Sequence, residues 1–193
     1  MHKMIRVAGT ALALCLFAPL LTSLHAQDAK PAKPAPSGPQ APSAVYGKLL
    51  SMMEKEFVDL AEAMPEDKFD FAPTQGDFKG VRSFGAQIAH VAEANNYFFH
   101  DPAKPMVDNR ADFEKLKGKA ETVKALKDSF ALAHAYVDAI TPENAFVAFG
   151  NNGNTRAGMA SFGLAHMMDH YGQLVVYLRM IGIVPPACRG GSM

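Results

Sequence analysis

His166 and His170 stand four residues apart in the stretch FGLAHMMDHYGQLVVYLRMIGIVPP, residues 162–186. On an α-helix, residues at that spacing are rotated by only about 40° and lie about 6 Å apart along the axis. Both imidazoles therefore leave one face and can share one ion. Two histidines so placed are a common half-site for a divalent transition metal. Met167, Met168 and Asp169 lie between them, so the glutamate that follows the first histidine of an H-E-x-x-H zinc protease is missing and that class is excluded. The rest of a ligand set must come from elsewhere in the chain. His90, His134 and the carboxylate of Glu93 are the candidates.

The elements that would position them can be read from apolar spacing. Met159, Phe162, Leu164, Met167, Leu174, Tyr177, Leu178 and Ile181 recur at threes and fours, which predicts a helix through the histidine pair. Asn154 or Thr155 can cap its start, Gly182 suits a left-handed stop, and Pro185 and Pro186 cannot continue it. A second helix is expected from Ser83, its N-cap, to about residue 99, with Phe84, Ile88, Val91 and Phe98 as its stripe. His90 borders that stripe, Glu93 follows one turn on, and Tyr97 two turns on. A third helix is expected over 120–140 on Val123, Leu126, Phe130, Ala133, Val137 and Ile140, with His134 at the bundle rim, a second-shell group or a fourth ligand as alternatives. The first helix is expected over 44–64, capped by Ser43, with Val45, Leu49, Met52, Met53, Phe57, Leu60 and Met64 as its stripe. Between the first two helices, residues 65–82 carry Phe69 and Phe71, which predict an aromatic lid over one end. Residues 100–119 and 141–154 read as polar loops, the latter ending in GNNGN. Four helices with no strand and no internal repeat predict an all-α four-helix bundle, an architecture that places metal sites between facing helices.

The first 26 residues are a targeting segment, with a basic start at His2, Lys3 and Arg6, an apolar run, and Ala26 as a small residue before a cut. Residues 27–43, QDAKPAKPAPSGPQAPS, lack bulky apolar groups and read as an extended tether. Residues 44–193 then form one domain. Once Lys3 and Arg6 are removed, 17 basic residues face 19 acidic ones. No basic patch points to nucleic acid, and no apolar span remains to hold the mature chain in a membrane. The expected location is the periplasm or the outside of the cell. Cys188 is the one cysteine left after cleavage, so the domain relies on its core and not on an internal disulfide.

VRSFGAQIAHVAE and AHMMDHYGQLVVYLRMIGIVPP together resemble the DinB-like, YfiT-related superfamily of metal-dependent enzymes. The likeness runs over nearly the whole domain. It lies in a first histidine on the second helix, then H-x-x-x-H, then Gly-Gln, Tyr-Leu-Arg and a glycine before prolines. The resemblance implies an up-down-down-up bundle, often a homodimer. It also implies a metal triad of His90, His166 and His170 holding zinc, nickel, manganese or iron. Relatives include transferases and isomerases that use small thiols. Export sets this chain apart, since such thiols are scarcer in an oxidising compartment.

Three neutral histidines would leave a divalent ion with an open position. The expectation is therefore a hydrolase or a thiol or group transferase acting on a small molecule. A non-catalytic metal- or ligand-binding bundle, one linked to stress, is the alternative. Glu93, one turn from His90, is the candidate base. Asp169 points to another face, and Tyr171 and Gln173 are candidates for supporting contacts.

Overall fold

The structure is a computed structural model and describes residues 38–190. The expected targeting segment, and the expected tether up to residue 37, lie outside the described residues. Four long helices carry the domain: α1 (Pro42–Ala63), α2 (Phe84–Phe98), α4 (Gly118–Asp138) and α5 (Arg156–Met180). A single turn, α3 (Arg110–Phe113), interrupts the loop between α2 and α4. Just before α5, where no strand was expected, β1 (Ala148–Phe149) pairs antiparallel with β2 (Asn154–Thr155), a minimal ladder that folds the turn-forming GNNGN back on itself. No helix among the described residues is long and apolar enough to cross a membrane.

The helix ends follow local chemistry. Ser83 Oγ accepts from Ala86 N at 3.3 Å, and Thr155 Oγ1 accepts from Gly158 N at 3.0 Å, so α2 and α5 start at side-chain caps. α1 instead starts at Pro42, two residues earlier than expected. Ala41 precedes it with no side-chain cap, and the fixed φ of proline suits the first helical position. α5 stops at Gly182, whose φ is +80°. There Gly182 N donates to Arg179 O at 3.0 Å and Ile183 N to Leu178 O at 2.9 Å, the paired bonds of a Schellman stop.

The contacts between helices set their directions. The start of α1 faces the end of α4 and its end faces the start of α4, where Lys119 Nζ donates to Glu62 O at 2.7 Å. Those two helices are antiparallel. Tyr46 with Ser161, at 2.9 Å, and Phe57 with Tyr171 make α1 and α5 parallel. Asn95 with Ser129 and Phe99 with Tyr136 make α2 and α4 parallel. Phe98 with Phe162 and Arg82 with Tyr177 make α2 and α5 antiparallel. The bundle is therefore up-down-down-up, with α1 and α2 each packed against both α4 and α5.

The interior is filled by Leu50, Phe57, Leu60, Phe84, Ile88, Leu126, Phe130, Met167 and Leu174, all essentially inaccessible. Each such side chain contributes about 1.5–3 kcal/mol by leaving water. The expected stripes of α2 and α4 are buried throughout. On α1, Val45, Leu49 and Met52 face outward, and the buried face is Leu50, Met53, Phe57, Leu60 and Ala61. On α5, Phe162 is 62% exposed, its ring edge-on to Phe98. The aromatic lid forms as expected. Phe69 is buried beside Phe84, Phe71 packs edge-on to Tyr177, and Phe84 N and Gly85 N donate to Phe71 O and Phe69 O at 2.8 Å. This ties the connection to the end where α2 begins and α5 stops.

Candidate metal centre

α2 and α5 run antiparallel side by side, and their facing surfaces bring three imidazoles to one point. His166 Nε2 lies 3.3 Å from His90 Nε2 and 3.1 Å from His170 Nε2. One ligand nitrogen from each ring falls within 4.8 Å of the others. Two nitrogens bound to one ion at about 2.0–2.1 Å sit about 2.9 Å apart at a right angle and about 3.4 Å apart at the tetrahedral angle. The observed separations fall inside that span. α5 supplies the i, i+4 pair, and Gly163, one turn before His166, lets the helix approach α2. A Cβ there would lie 2.7 Å from the Phe99 ring.

The donor set also fits a cation by its protons. A neutral imidazole has one N–H. Glu93 Oε2 stands 3.5 Å from His90 Nδ1, too long for a strong hydrogen bond but on the side that favours the proton. That leaves the His90 Nε2 lone pair turned toward the other two rings. His166 Nε2 faces two neighbours and could donate to only one of them. With the protons on Nδ1, three lone pairs meet at one point, an arrangement a divalent ion stabilises. The Nδ1 atoms of His166 and His170 are buried without a hydrogen-bond partner among the described residues.

Burial holds the three rings neutral. Desolvation, helped by the nearby Arg82 charge and by His170, lowers His90 to about 4. Desolvation, then the His166 charge, lowers His170 to about 4. His166 is lowered for the same reason, with His90 adding to it and Asp169 opposing. All three therefore lack the second, charging proton at neutral pH, which leaves each ring a lone pair for metal. Glu93 is raised, chiefly by desolvation, with Arg110 and Arg82 opposing.

Other residues singled out by sequence lie elsewhere. His134 Nε2 donates to Glu54 Oε2 at 2.7 Å, a bond from α4 to α1 that keeps it at the bundle rim and out of the triad. Asp169 is exposed and accepts from Gln173 Nε2 at 3.0 Å, so Gln173 supports Asp169 and no histidine. Tyr171 packs its ring against Phe57, and burial pushes its hydroxyl up to about 12. Tyr97 is half exposed and touches Phe98. It is Phe98 whose ring sits against His166, with centroids 5.2 Å apart. Spacing had placed Phe98 on the core stripe of α2, two turns past His90, and that same register carries it to the site. Arg82 and Arg110, whose charges reach Glu93, have no periodic signal because they lie outside the long helices.

Residues 49–174 match the DinB superfamily, a span that holds His90, Glu93, His166 and His170. This chain belongs to the DinB superfamily. DinB members often bind metal, and the three-histidine group of this DinB-superfamily chain could hold a metal ion. The solved structure of a DinB-like protein, YjoA, from Bacillus subtilis superposes with a TM-score of 0.54 at 16% identity. It covers 70% of this chain and 92% of that one. At that identity the likeness shows the shared DinB bundle and nothing about chemistry. No curated protein matches.

Proposed function

We propose that this chain is a divalent-metal-dependent enzyme, a hydrolase or a thiol or group transferase for a small molecule, with His90, His166 and His170 as its ligands. The observation that carries the reading is the convergence of three Nε2 atoms, at 3.1 and 3.3 Å, from two different helices. Three neutral imidazoles would leave a bound zinc, nickel, manganese or iron ion its charge and an open position, and the chemistry it would supply is acidification of a water or thiol. His90, His166 and His170 would hold that ion and, being neutral, would add no charge of their own. The Glu93 charge favours the His90 proton on Nδ1, and from its place in the wall of a cleft beside His90 its carboxylate can take up a proton released there. The sequence of residues 1–26 supports action outside the cytoplasm, and the family resemblance supports a homodimer.

The test is metal content by mass spectrometry on protein purified without a His tag, with His90→Ala alongside. About one transition metal per chain in the wild type, lost in the variant, supports the reading and selects the ion for hydrolase and thiol-transfer screens. No metal as purified and none taken up on soaking would overturn it. A stoichiometric metal with no exchangeable water ligand would favour a non-catalytic metal-binding bundle.

A further inference from the structure

A cleft of about 500 Å³ runs along α2, within the size range of small-molecule sites. His90 and Glu93 stand in its wall, and Phe69, Phe113 and Leu116 give it an apolar lining. Two guanidinium groups also line it, and they are not equivalent. Arg110 is engaged: its Nε and Nη2 donate to the Asp108 carboxylate at 2.9 and 2.6 Å. The Arg82 side chain has no hydrogen bond or ion pair among the described residues, although its charge reaches His90, Glu93, His166 and His170. The Arg82 backbone is fixed, because its carbonyl accepts from the Tyr177 hydroxyl at 3.2 Å.

The start of α2 cannot bind an anion in place of Arg82. Its first N–H groups are already taken, by Phe71 O, Phe69 O, Ser83 Oγ and Ser83 O. Glu93, within reach of the Arg82 charge, offsets part of the repulsion between Arg82 and a cation at the histidines, and an anion on Arg82 would offset more of it. The lining also limits that anion. Asp70, Glu93 and Glu114 share the wall, so a second negative charge would meet carboxylates and no free cation.

We propose that Arg82 recognises the carboxylate of a small monocarboxylate substrate whose apolar body lies along Phe69, Phe113 and Leu116, with its reacting bond toward His90. The proposal rests on the metal-site reading only for which end of the cleft holds the chemistry.

The experiment titrates two acid and amide pairs, phenylacetate with phenylacetamide and hexanoate with hexanamide, by saturation-transfer NMR. It uses zinc-loaded wild type, the same protein after chelation, and Arg82→Gln and Arg82→Lys. Zinc content is measured on every sample. At least one acid should bind about tenfold or more tighter than its amide, as loss of a charge-assisted hydrogen bond implies. Arg82→Gln should remove that advantage at unchanged zinc content, and Arg82→Lys should restore part of it. The preference should persist after chelation. A preference that disappears with the metal would mean that the carboxylate binds zinc and not Arg82. That result overturns the proposal, as would equal binding of acids and amides, no binding of either acid, or an unchanged preference in Arg82→Gln. A wild type without zinc that still prefers acids through Arg82 would uphold the cleft and remove the metal-site reading. A zinc-loaded protein with no preference for acids would do the reverse.

Discussion

Three imidazoles that face one another through Nε2 repel as lone pairs and cooperate as ligands, so each should matter to metal and none should be replaceable by a neighbour. His90→Ala, His166→Ala and His170→Ala are each expected to lower bound metal from about one per chain to near zero by mass spectrometry. His134→Ala should leave metal content unchanged while lowering stability by about 0.5–1 kcal/mol in urea titrations, because the partly exposed bond to Glu54 Oε2 is lost. Metal loss in His134→Ala would place it in the ligand set. Glu93→Gln keeps an acceptor near His90 Nδ1 but removes the charge. About a tenfold loss of zinc affinity is expected in competition with a chromophoric chelator, and unchanged affinity would mean that Glu93 does not orient His90. At this scale the sequence shows some residues and hides others for physical reasons. His166 and His170 are legible because a helix repeats every 3.6 residues. His90 and His134 border their stripes equally well, and spacing alone does not say which helix each one faces. The family resemblance chose His90, and the antiparallel pairing of α2 with α5 accounts for it. Arg82 precedes a cap, where no period operates.

Whether those histidines meet depends on how closely two helices approach. At Gly163 the absent side chain decides this: a Cβ would sit 2.7 and 2.9 Å from Phe99 ring atoms and 3.1 Å from Phe98 Cβ. Gly163→Ala gains helix propensity, but it must push α5 from α2 or turn a buried Phe99. The expected result is a net destabilisation of about 1–3 kcal/mol in denaturant titration, with weaker zinc binding because His166 lies one turn on. A stabilised variant with unchanged affinity would show that the contact has slack. The helices themselves were legible, and their outward faces less so. On α1, Val45, Leu49 and Met52 keep a helical spacing as regular as that of the buried Leu50, Met53, Phe57 and Leu60. Two adjacent apolar stripes satisfy the same period, and only the packing of α4 and α5 selects one. The caps at Ser83 and Thr155 and the stop at Gly182 were readable because each is a local transaction between a side chain or a φ angle and the nearest amides.

For the whole molecule, a metal held by one residue of α2 and two of α5 is a cross-link between helices that are joined in the chain only through α3, α4 and their loops. It binds the folded state alone, so free zinc at a hundred times Kd should add about 2.7 kcal/mol, and chelation should lower Tm accordingly. The acid dependence of that gap tests the site's burial. In the metal-free fold, His90 and His170 titrate at about 4, against about 6.5 when unfolded. Between those values the unfolded chain binds more protons, so stability is fully present above pH of about 6.5 and is lost as pH falls toward 4. The loaded protein loses the same amount over that window, because its reference is the same unfolded chain. Metal competes with protons only in the folded state, where His90 and His170 stay neutral until about pH 4 and His166 is lowered in the same direction. The two stability curves, followed by denaturant titration with and without chelator, should therefore fall in parallel from pH 7 to 5 and begin to converge only near 4. Other titrating groups cancel in the difference. A gap that narrows already near pH 6.5 and has closed by pH 5 would give the folded histidines ordinary proton affinities and open the site to water. A gap that stays open to pH 5 would mean that packing, before any metal arrives, has set the three imidazoles in the form that binds it.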